Sequence, residues 1–380
     1  MRITDLPTPS LVLDRAKLVR NIQRMAEAAR RHGVALRPHL KTSKSIDVAR
    51  LALEGQAGGI AVSTLKEAEY FVRHGIADVH YAVSIVPDKL ERVAAIQNRG
   101  ARVTVITDSV EVARAIDAKG QELDHTFHVL IEIDCGEGRS GVYADSPEML
   151  KIAELIDRSP KAALAGVMSH AGHSYGCRSL AEIEEVAEAE RAAAVTAAER
   201  IRMLEIACPT VSVGSTPTAL HARGLEGVTE MRPGVYMFGD MFQAQIGSCA
   251  VSDLAVSVIT EVISHRAPLG RLLIDAGALA LSKDRSTQDT PNDIGFGLVA
   301  GLDGRPLAPQ LHVGKVYQEH GQIVLTEDTP ADSLPVGARL RVYPNHICMT
   351  GAMYGEYYVV DSEHGDGEEI VAVWPRTNGW

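Results

Sequence analysis

Two lysines lie just beyond a short apolar segment near the start of the chain. The run Val34–Arg37 is followed by Lys41 and Lys44. A lysine amine in a poorly hydrated site can act as a nucleophile and hold a carbonyl cofactor as a Schiff base. The alternative is that both lysines are solvated charges beside the next helix, and the residues alone leave this choice open.

A histidine and a cysteine stand close together near the end of the chain, at His346 and Cys348. If this segment is a strand, the two side chains point to the same side and face one site together. An imidazole and a thiolate suit zinc, and two protein ligands would form an open site completed by water or a substrate oxygen. The alternative is a core cysteine near a surface histidine.

Other segments have residues that could bind an anion or a heterocycle. Gly214–Thr218 offers glycine and small hydroxyls, and Met231–Val235 offers a glycine turn, so both could let a phosphate approach the backbone. Arg139 could bind an anionic oxygen, and Ser169–Tyr175 has histidines and a tyrosine that could contact a ring. Ordinary turns and a solvated arginine are the competing interpretations.

Regular elements separate these segments. The candidate strands are Val34–Arg37, Gly59–Val62, Val79–Val83, Val103–Ile106, His128–Ile133, Leu164–Met168, Thr210–Val213 and Val235–Phe238. Helical patterns lie between most of them, which indicates an α/β fold with a (β/α)8 barrel, a doubly wound sheet being the competitor. In such a barrel the residues just past each strand share one catalytic face, so most of the segments above would meet there.

The sequence pattern changes after about residue 250, where β-rich stretches alternate with Gly, Pro and Asp turns and no long helix intervenes. We therefore predict a barrel domain over residues 16–245 and an all-β domain over residues 246–380, which has His346 and Cys348. Residues 1–15 are expected to pair with the β domain through the strand Ser10–Asp14.

Composition and charge argue against several classes of function. The chain has 380 residues, 46% of them hydrophobic, and its net charge of -11 speaks against nucleic acid or an anionic membrane as a partner. The N-terminus lacks the pattern of a signal peptide, and no stretch of about 18 apolar residues could span a membrane. The scattered cysteines indicate a reducing cytoplasm rather than a disulfide framework.

Several stretches together resemble one family over nearly the whole chain. They are TPSLVLD at residues 8–14, RPHLKTSK at 37–44, VSTLKEAE at 62–69, GEGRSGV at 136–142, SHAGHSY at 169–175, VGSTPT at 213–218, RPGVY at 232–236 and PNHIC at 344–348. The chain is similar to the fold-type III pyridoxal-phosphate (PLP) enzymes, in the branch of D-serine dehydratases, D-threo-3-hydroxyaspartate dehydratases and D-threonine aldolases. Within it, the D-threo-3-hydroxyaspartate dehydratases resemble the chain most. The resemblance implies an alanine-racemase-like barrel, PLP as cofactor and a homodimer.

The resemblance also implies which residues contact PLP. The lysine of the family's RPHxK segment corresponds to Lys41 rather than Lys44, and it would hold the cofactor and act as the base on the α-proton of the substrate. The other implied contacts are Arg139 for the 3-oxygen, His170 and Tyr175 for the ring, and Ser215, Thr216, Gly234 and Val235 for the phosphate.

The metal pair and the activity are implied in the same way. Dehydratases of this branch bind a metal through His-x-Cys, which corresponds to His346 and Cys348 with zinc or another divalent metal, whereas aldolases have His-x-Asp. The implied function is a lyase that dehydrates a D-3-hydroxy amino acid, D-threo-3-hydroxyaspartate or D-serine, to a 2-oxo acid and ammonia. The alternatives are a metal-dependent D-threonine or D-3-hydroxyaspartate aldolase, which releases a glycine-type product and an aldehyde, and a non-catalytic PLP carrier. A second substrate carboxylate would need a cation, for which Arg178, Arg285 and His320 are candidates.

Overall fold

The structure is a computed structural model that describes residues 1–307, 311–325, 333–364 and 366–380. It divides into two compact units. The barrel unit comprises Arg24–Gly234 with Gly379–Trp380, and the β unit comprises Met1–Gln23 with Val235–Asn378. The border at Gly234 and Val235 precedes the one expected at residues 245 and 246, and residues 16–23 group with the β unit.

The chain opens with strand β1 (Ser10–Asp14) and helix α1 (Arg15–His32). The strands of the barrel unit are β2 (Ala35–Leu36), β3 (Ile60–Val62), β4 (Asp78–Ser84), β5 (Arg102–Thr107), β6 (Phe127–Ile133), β7 (Ala162–Ser169), β8 (Thr210–Val213) and β9 (Glu230–Met231). The helices between them are α2 (Ile46–Leu53), α3 (Leu65–Arg73), α4 (Leu90–Gln97), α5 (Val110–Leu123), α6 (Pro147–Arg158), α7 (Leu180–Arg202) and α8 (Thr216–His221).

The strands of the barrel unit form one parallel sheet in the order β2-β9-β8-β7-β6-β5-β4-β3. Backbone hydrogen bonds just beyond β2 close the ring. The Leu40 N–H donates to the Ala61 carbonyl at 2.8 Å, and the Ala61 N–H donates to the Pro38 carbonyl at 3.0 Å. The predicted (β/α)8 barrel is therefore confirmed, and the segments that follow its strands lie at one end.

Polar caps fix where several barrel helices begin. The Ser179 hydroxyl accepts a hydrogen bond from the Glu182 N–H at the start of α7, in the capping box that the sequence predicts. The Thr64 hydroxyl accepts one from the Glu67 N–H at the start of α3. Such caps satisfy N–H groups that have no partner inside the helix, and so stabilise the junctions from which the site residues extend.

The predicted eighth strand, Val235–Phe238, is wrong. The eighth strand is β9, and Val235–Met237 is a single 3-10 turn whose Val235 carbonyl accepts from the Phe238 N–H at 3.1 Å and the Gly239 N–H at 2.8 Å. A short buried apolar run has no periodicity that separates a strand from a helical turn. As a consequence, Arg232 and Gly234 follow the last barrel strand instead of preceding it.

The β unit is built mainly from antiparallel strands. They are β10 (Val256–Arg266), β11 (Arg271–Ile274), β12 (Leu298–Ala300), β13 (Val313–Val316), β14 (Gly321–Val324), β15 (Arg339–Tyr343), β16 (Glu356–Val360) and β17 (Ala372–Pro375). Short helices α9 (Met241–Gln245), α10 (Ala278–Leu281) and α11 (Ile347–Thr350) lie among them. The N-terminal strand β1 pairs antiparallel with β10 and parallel with β16, so it forms part of this sheet.

Within the described ranges, no helix combines the length and the apolar character needed to cross a membrane. None of Cys135, Cys177, Cys208, Cys249 and Cys348 forms a disulfide bond.

Candidate active site

A cavity of about 350 Å³ opens in the barrel unit where the strands end. Its ionisable lining residues are His39, Lys41, Glu132, Arg139, His170 and Arg232. The structure thus brings together three residues predicted from sequence, Lys41, Arg139 and His170. Ligand pockets of small cofactors have volumes of roughly 300–1,000 Å³, so a substituted pyridine fits this one. An amine and two guanidinium groups also suit an aldehyde cofactor with anionic oxygens.

The two candidate lysines have different surroundings. Lys41 lines the cavity and its side chain is exposed there. The Lys44 ammonium lies 3.2 Å from the carboxylate of Glu67, a residue of α3 that is only 1% exposed. The same carboxylate accepts a hydrogen bond from the Ser63 N–H at 2.9 Å. Lys44 therefore neutralises a buried acid, and Lys41 is the lysine that faces the cavity.

Two histidines flank Lys41 as neutral rings. Burial, followed by the positive charges of Lys41 and Arg232, lowers the pKa of both His39 and His170 well below its ordinary value. The His39 Nδ1 lies 3.4 Å from the backbone N–H nitrogen of Lys41, and the His170 ring hydrogen-bonds the backbone of Gly214. Neutral imidazoles add no positive charge beside the Lys41 amine.

Arg232 is a site residue that the sequence reasoning missed. It is 3% exposed, and its Nε donates to the Ser212 hydroxyl at 2.7 Å. Its terminal nitrogen donates to the carbonyls of Ser169 and Ser212. Burial lowers the pKa of Arg232 and nearby Glu230 opposes this, so the group stays a fixed cation in the cavity wall. The signal in the sequence is its place in the stretch RPGVY, whereas only the structure shows that it directly follows a strand.

Two buried glutamates organise the loops around the cavity. Glu132 accepts hydrogen bonds from the hydroxyls of Ser84 at 3.2 Å and Ser140 at 2.8 Å. Glu190, in α7, accepts from the Ala171 N–H, the Gly214 N–H and the Thr218 hydroxyl, each at 2.9 Å. Glu190 thereby ties the loop after β7 to the loop after β8. Nothing distinguishes it in the sequence from the other glutamates of that helix.

The predicted phosphate contacts lie beside the cavity instead of in its wall. Its lining includes none of Ser215, Thr216, Gly234, Val235 and Tyr175.

Ser215 is occupied within its own helix cap. Its hydroxyl accepts from the Thr218 N–H and lies 2.8 Å from the Ser174 hydroxyl, and its own N–H donates to the Thr218 hydroxyl at 2.9 Å. Tyr175 lies in the 3-10 turn Gly172–Gly176. A Cβ on Gly234 would come within 2.8 Å of the His39 carbonyl oxygen, so this position requires glycine. The phosphate contacts therefore stay predictions.

The other candidate cations do not join this cavity. Arg178 donates to the carbonyls of Tyr175 at 3.2 Å and Cys177 at 2.9 Å. Arg285, in the β unit, pairs with Asp293, and its guanidinium lies 5.2 Å from the centre of the Phe296 ring. Lys41, Arg139 and Arg232 are therefore the cations that the described cavity offers to a substrate.

His346 and Cys348 form a second candidate site, in the β unit. The expectation that they share a strand is wrong, because β15 ends at Tyr343 and His346 is the N-cap of α11. Pro344 has no N–H, which favours this break in the ladder. The side chains of His346 and Cys348 are nevertheless hydrogen-bonded to each other.

Asp284 completes the surroundings of His346. Its Oδ2 lies 3.0 Å from the His346 Nδ1. Although burial alone lowers the pKa of His346, the bonds with Asp284 and Cys348 raise it to about 11. Within the described residues, no group of three or more His, Cys, Asp or Glu side chains could hold a metal. The imidazole of His346 and the thiol of Cys348 are donor types that zinc takes, and two protein ligands would leave the site open.

The barrel with a cavity lysine after its first strand, together with a largely antiparallel β unit, defines the alanine-racemase-like class. Residues 13–241 match the family described as alanine racemase, N-terminal domain, and residues 255–360 match the putative serine dehydratase domain. The chain therefore belongs to the alanine racemase N-terminal domain family and has the serine dehydratase domain after it. The resemblance predicted from its motifs is confirmed.

Particular relatives are similar over the whole chain. The D-threo-3-hydroxyaspartate dehydratase of Delftia sp. (strain HT23) is 44% identical, over 99% of this chain and 98% of that protein. The D-serine dehydratase of Dictyostelium discoideum is 30% identical, over 95% of both. The solved structure of a mutant of D-threo-3-hydroxyaspartate dehydratase in the metal-free form matches with a TM-score of 0.96 and 43% identity, over 100% of each chain.

Proposed function

We propose that the protein is a PLP-dependent dehydratase of D-3-hydroxy amino acids, with D-threo-3-hydroxyaspartate or D-serine as substrate and a 2-oxo acid and ammonia as products. The observation that carries this proposal is the convergence of Lys41, Arg139, His170 and Arg232 on one cavity at the strand ends. The 44% identity to a D-threo-3-hydroxyaspartate dehydratase along the whole chain supports the substrate class.

Each cavity residue has a role that follows from its charge. Lys41 would hold the aldehyde carbon of PLP, and the Arg139 guanidinium would bond the 3-oxygen. Arg232 is a buried cation that can only donate, so it would meet an unprotonated ring nitrogen. The phosphate would lie beside Gly214–Thr218 and Gly234, next to His170 and His39 respectively.

Lys41 would also perform the proton transfer. Bound PLP supplies an electron sink for bond breaking at the α-carbon of the substrate. Once the amine of the substrate has replaced it, the Lys41 amine is free to remove the α-proton. The neutral state of His39 and His170 favours this step, because charged rings so close would disfavour protonation of the Lys41 amine.

His346 and Cys348 would hold zinc, which would supply Lewis-acid assistance to the departing β-hydroxyl. The donor types support this part of the proposal, and so does the contact of Asp284 with the His346 Nδ1, which leaves Nε2 as the ligating nitrogen. A metal-free form of the related dehydratase is consistent with a metal in that protein. The thiolate favours zinc over a hard cation such as magnesium.

A substrate panel tests the proposal. The purified protein with PLP is given D-serine, D-threonine and both diastereomers of D-3-hydroxyaspartate, and ammonia, 2-oxo acid and glycine are measured. The proposal expects ammonia and 2-oxo acid in equal amounts and no glycine. Glycine with an aldehyde would instead establish an aldolase, and no product from any substrate would favour a PLP carrier.

We also propose a cytoplasmic homodimer. None of the five cysteines forms a disulfide bond, which is consistent with a reducing compartment. Light scattering coupled to gel filtration should give twice the chain mass of 40.8 kDa, that is, about 82 kDa.

A further inference from the structure

Both carboxylate oxygens of Asp284 have defined partners. The Oδ2 lies 3.0 Å from the Nδ1 of His346. The Oδ1 accepts hydrogen bonds from the backbone N–H of Ser286, at 2.8 Å, and from the Ser286 hydroxyl. The Ser286 N–H can only donate, so it holds one carboxylate oxygen and leaves the other to face His346. The orientation of the Asp284 carboxylate is thereby fixed.

The backbone of Asp284 is tied to the neighbour of His346. The Asn345 side-chain nitrogen donates to the Asp284 carbonyl at 3.2 Å and to the Gly295 carbonyl at 3.0 Å. Asn345 is only 1% exposed, so these bonds are shielded from water. The two segments that carry Asp284 and His346 are therefore held together independently of the contact between the two side chains.

A carboxylate in this place decides where the proton of the imidazole lies. An ionised carboxylate only accepts, so a neutral His346 must carry its proton on Nδ1. The lone pair is then on Nε2, the nitrogen that can bind a metal. A carboxylate bonded to the second nitrogen of a metal-binding histidine also fixes the ring plane and raises the basicity of the ligand.

We propose that Asp284 is the positioning residue of the metal site, which prepares His346 by fixing its tautomer and its ring orientation. This inference rests on the proposed role of His346 and Cys348 as metal ligands. It assigns to Asp284 no contact with the metal, because its near oxygen is engaged by Nδ1.

Substitution of Asp284 by asparagine gives an unusual expectation. The Ser286 N–H still needs an acceptor, so the amide oxygen of Asp284→Asn takes the place of Oδ1 and the amide nitrogen faces His346. That nitrogen donates to Nδ1, which forces the proton onto Nε2 and removes the lone pair from the metal side. Asp284→Asn should therefore impair metal binding at least as much as Asp284→Ala, although asparagine is the closer mimic in shape.

The test is a zinc titration of the PLP-loaded, metal-stripped protein against a competing chelating dye. Substitution of a residue that hydrogen-bonds to a metal ligand typically weakens metal binding by about 10- to 100-fold. The same loss is expected for Asp284→Asn and Asp284→Ala. Asp303→Asn is the matched control, since it removes an exposed carboxylate from the same unit. Folding of each variant is checked by circular dichroism and by the absorbance of the cofactor held by Lys41.

The outcomes separate this inference from the proposed function. If the wild-type protein takes up no zinc, the proposed metal site fails. If wild type and Asp303→Asn bind zinc and Asp284→Asn binds it equally well, the metal site stands and the role of Asp284 is overturned. Tighter zinc binding by Asp284→Asn than by Asp284→Ala would also overturn this role. If Asp284 fixes the tautomer of His346, Asp284→Asn must bind zinc no more tightly than Asp284→Ala.

Discussion

The barrel unit and the β unit gather their chemical groups in different ways. In the barrel unit, Lys41, His170 and Arg232 each lie just past a parallel strand, and the closed sheet brings those ends together. In the β unit, His346 and Asp284 are 62 residues apart in sequence and meet through side-chain hydrogen bonds beside a short helix. The first set is positioned by topology and the second by individual contacts. Loss of a supporting side chain should therefore act on the site of its own unit: loss of Glu190 should weaken PLP binding, and loss of Asp284 should weaken metal binding.

The largest expected effect concerns the lysine that the barrel topology places in the cavity. Lys41→Ala should lower turnover by at least about 10³-fold, because both the cofactor attachment and the base are lost, and it should abolish the visible absorbance of the lysine-bound cofactor. Lys44→Ala is the control and should keep the absorbance, since Lys44 pairs with Glu67. Loss of the absorbance in Lys44→Ala alone would show that the lysines are assigned in the wrong order.

The next effect concerns His346 and Cys348, the proposed metal ligands of the β unit. Cys348→Ala, or a strong chelator, should lower the rate of ammonia release by about 10²- to 10³-fold, since a Lewis acid contributes several kcal/mol to the departure of hydroxide. The absorbance of the cofactor held by Lys41 should not change. Cys249→Ala, at another half-buried cysteine of this unit, should be active. Full activity of a preparation shown to be free of metal would contradict this role.

A smaller effect is expected at Glu190, which supports two cavity loops at once. Glu190→Ala leaves the N–H groups of Ala171 and Gly214 without an acceptor, and at about 1–3 kcal/mol for an unsatisfied buried group it should weaken PLP binding by roughly 10- to 100-fold. Glu190→Gln keeps an oxygen for these donors and should be milder. Glu188→Gln, exposed on the same helix, is the control. Unchanged PLP affinity in Glu190→Ala would show that Glu190 does not support the PLP site.

The smallest effect is the response of the barrel unit to acid. Burial is the main cause that holds the pKa values of His39, His80 and His170 well below the ordinary value. Below about pH 6.5 the unfolded chain therefore binds protons that the folded barrel does not, so stability is full above this pH and decreases as the pH falls.

Protonation of each such histidine in the unfolded chain should lower the free energy of unfolding by about 1.4 kcal/mol between pH 7.5 and pH 5.5. His80→Gln should reduce the acid loss by this amount in urea unfolding, while the exposed His74→Gln should not. An acid loss of the same size in wild type and His80→Gln would disprove the assignment for His80.

The same contrast explains what the sequence could predict. Lys41, Arg139 and His170 could be assigned because residues after barrel strands must converge, and family motifs mark these positions. Arg232 was missed because an apolar run predicts a strand at Val235–Phe238, which places Arg232 before a strand instead of after one.

Side chains that act across long sequence distances leave no local signal. Glu190 resembles every other glutamate of α7, and its role follows only from three hydrogen bonds to distant loops. Asp284 has no pattern that connects it to His346. The prediction of a strand at His346 and Cys348 was wrong, since the period of a strand does not extend past Pro344. The expectation that the side chains of His346 and Cys348 lie together is nevertheless met, because the two are hydrogen-bonded to each other.

A chain of hydrogen bonds crosses the barrel interior beneath Arg232. The Ser212 hydroxyl accepts from Arg232 at 2.7 Å and donates to Glu230 at 2.6 Å, and Glu230 in turn holds Arg37 at 2.9 Å. Arg37 also pairs at 3.0 Å with Asp78, the first residue of β4, at the opposite end of the barrel. Ser212→Ala would remove the hydroxyl that joins the Arg232 guanidinium to the Glu230 carboxylate, at a residue that does not line the cavity. With PLP bound as proposed, this change should alter the absorbance and reactivity of the cofactor, although Ser212 is fully buried and lies outside the cavity lining.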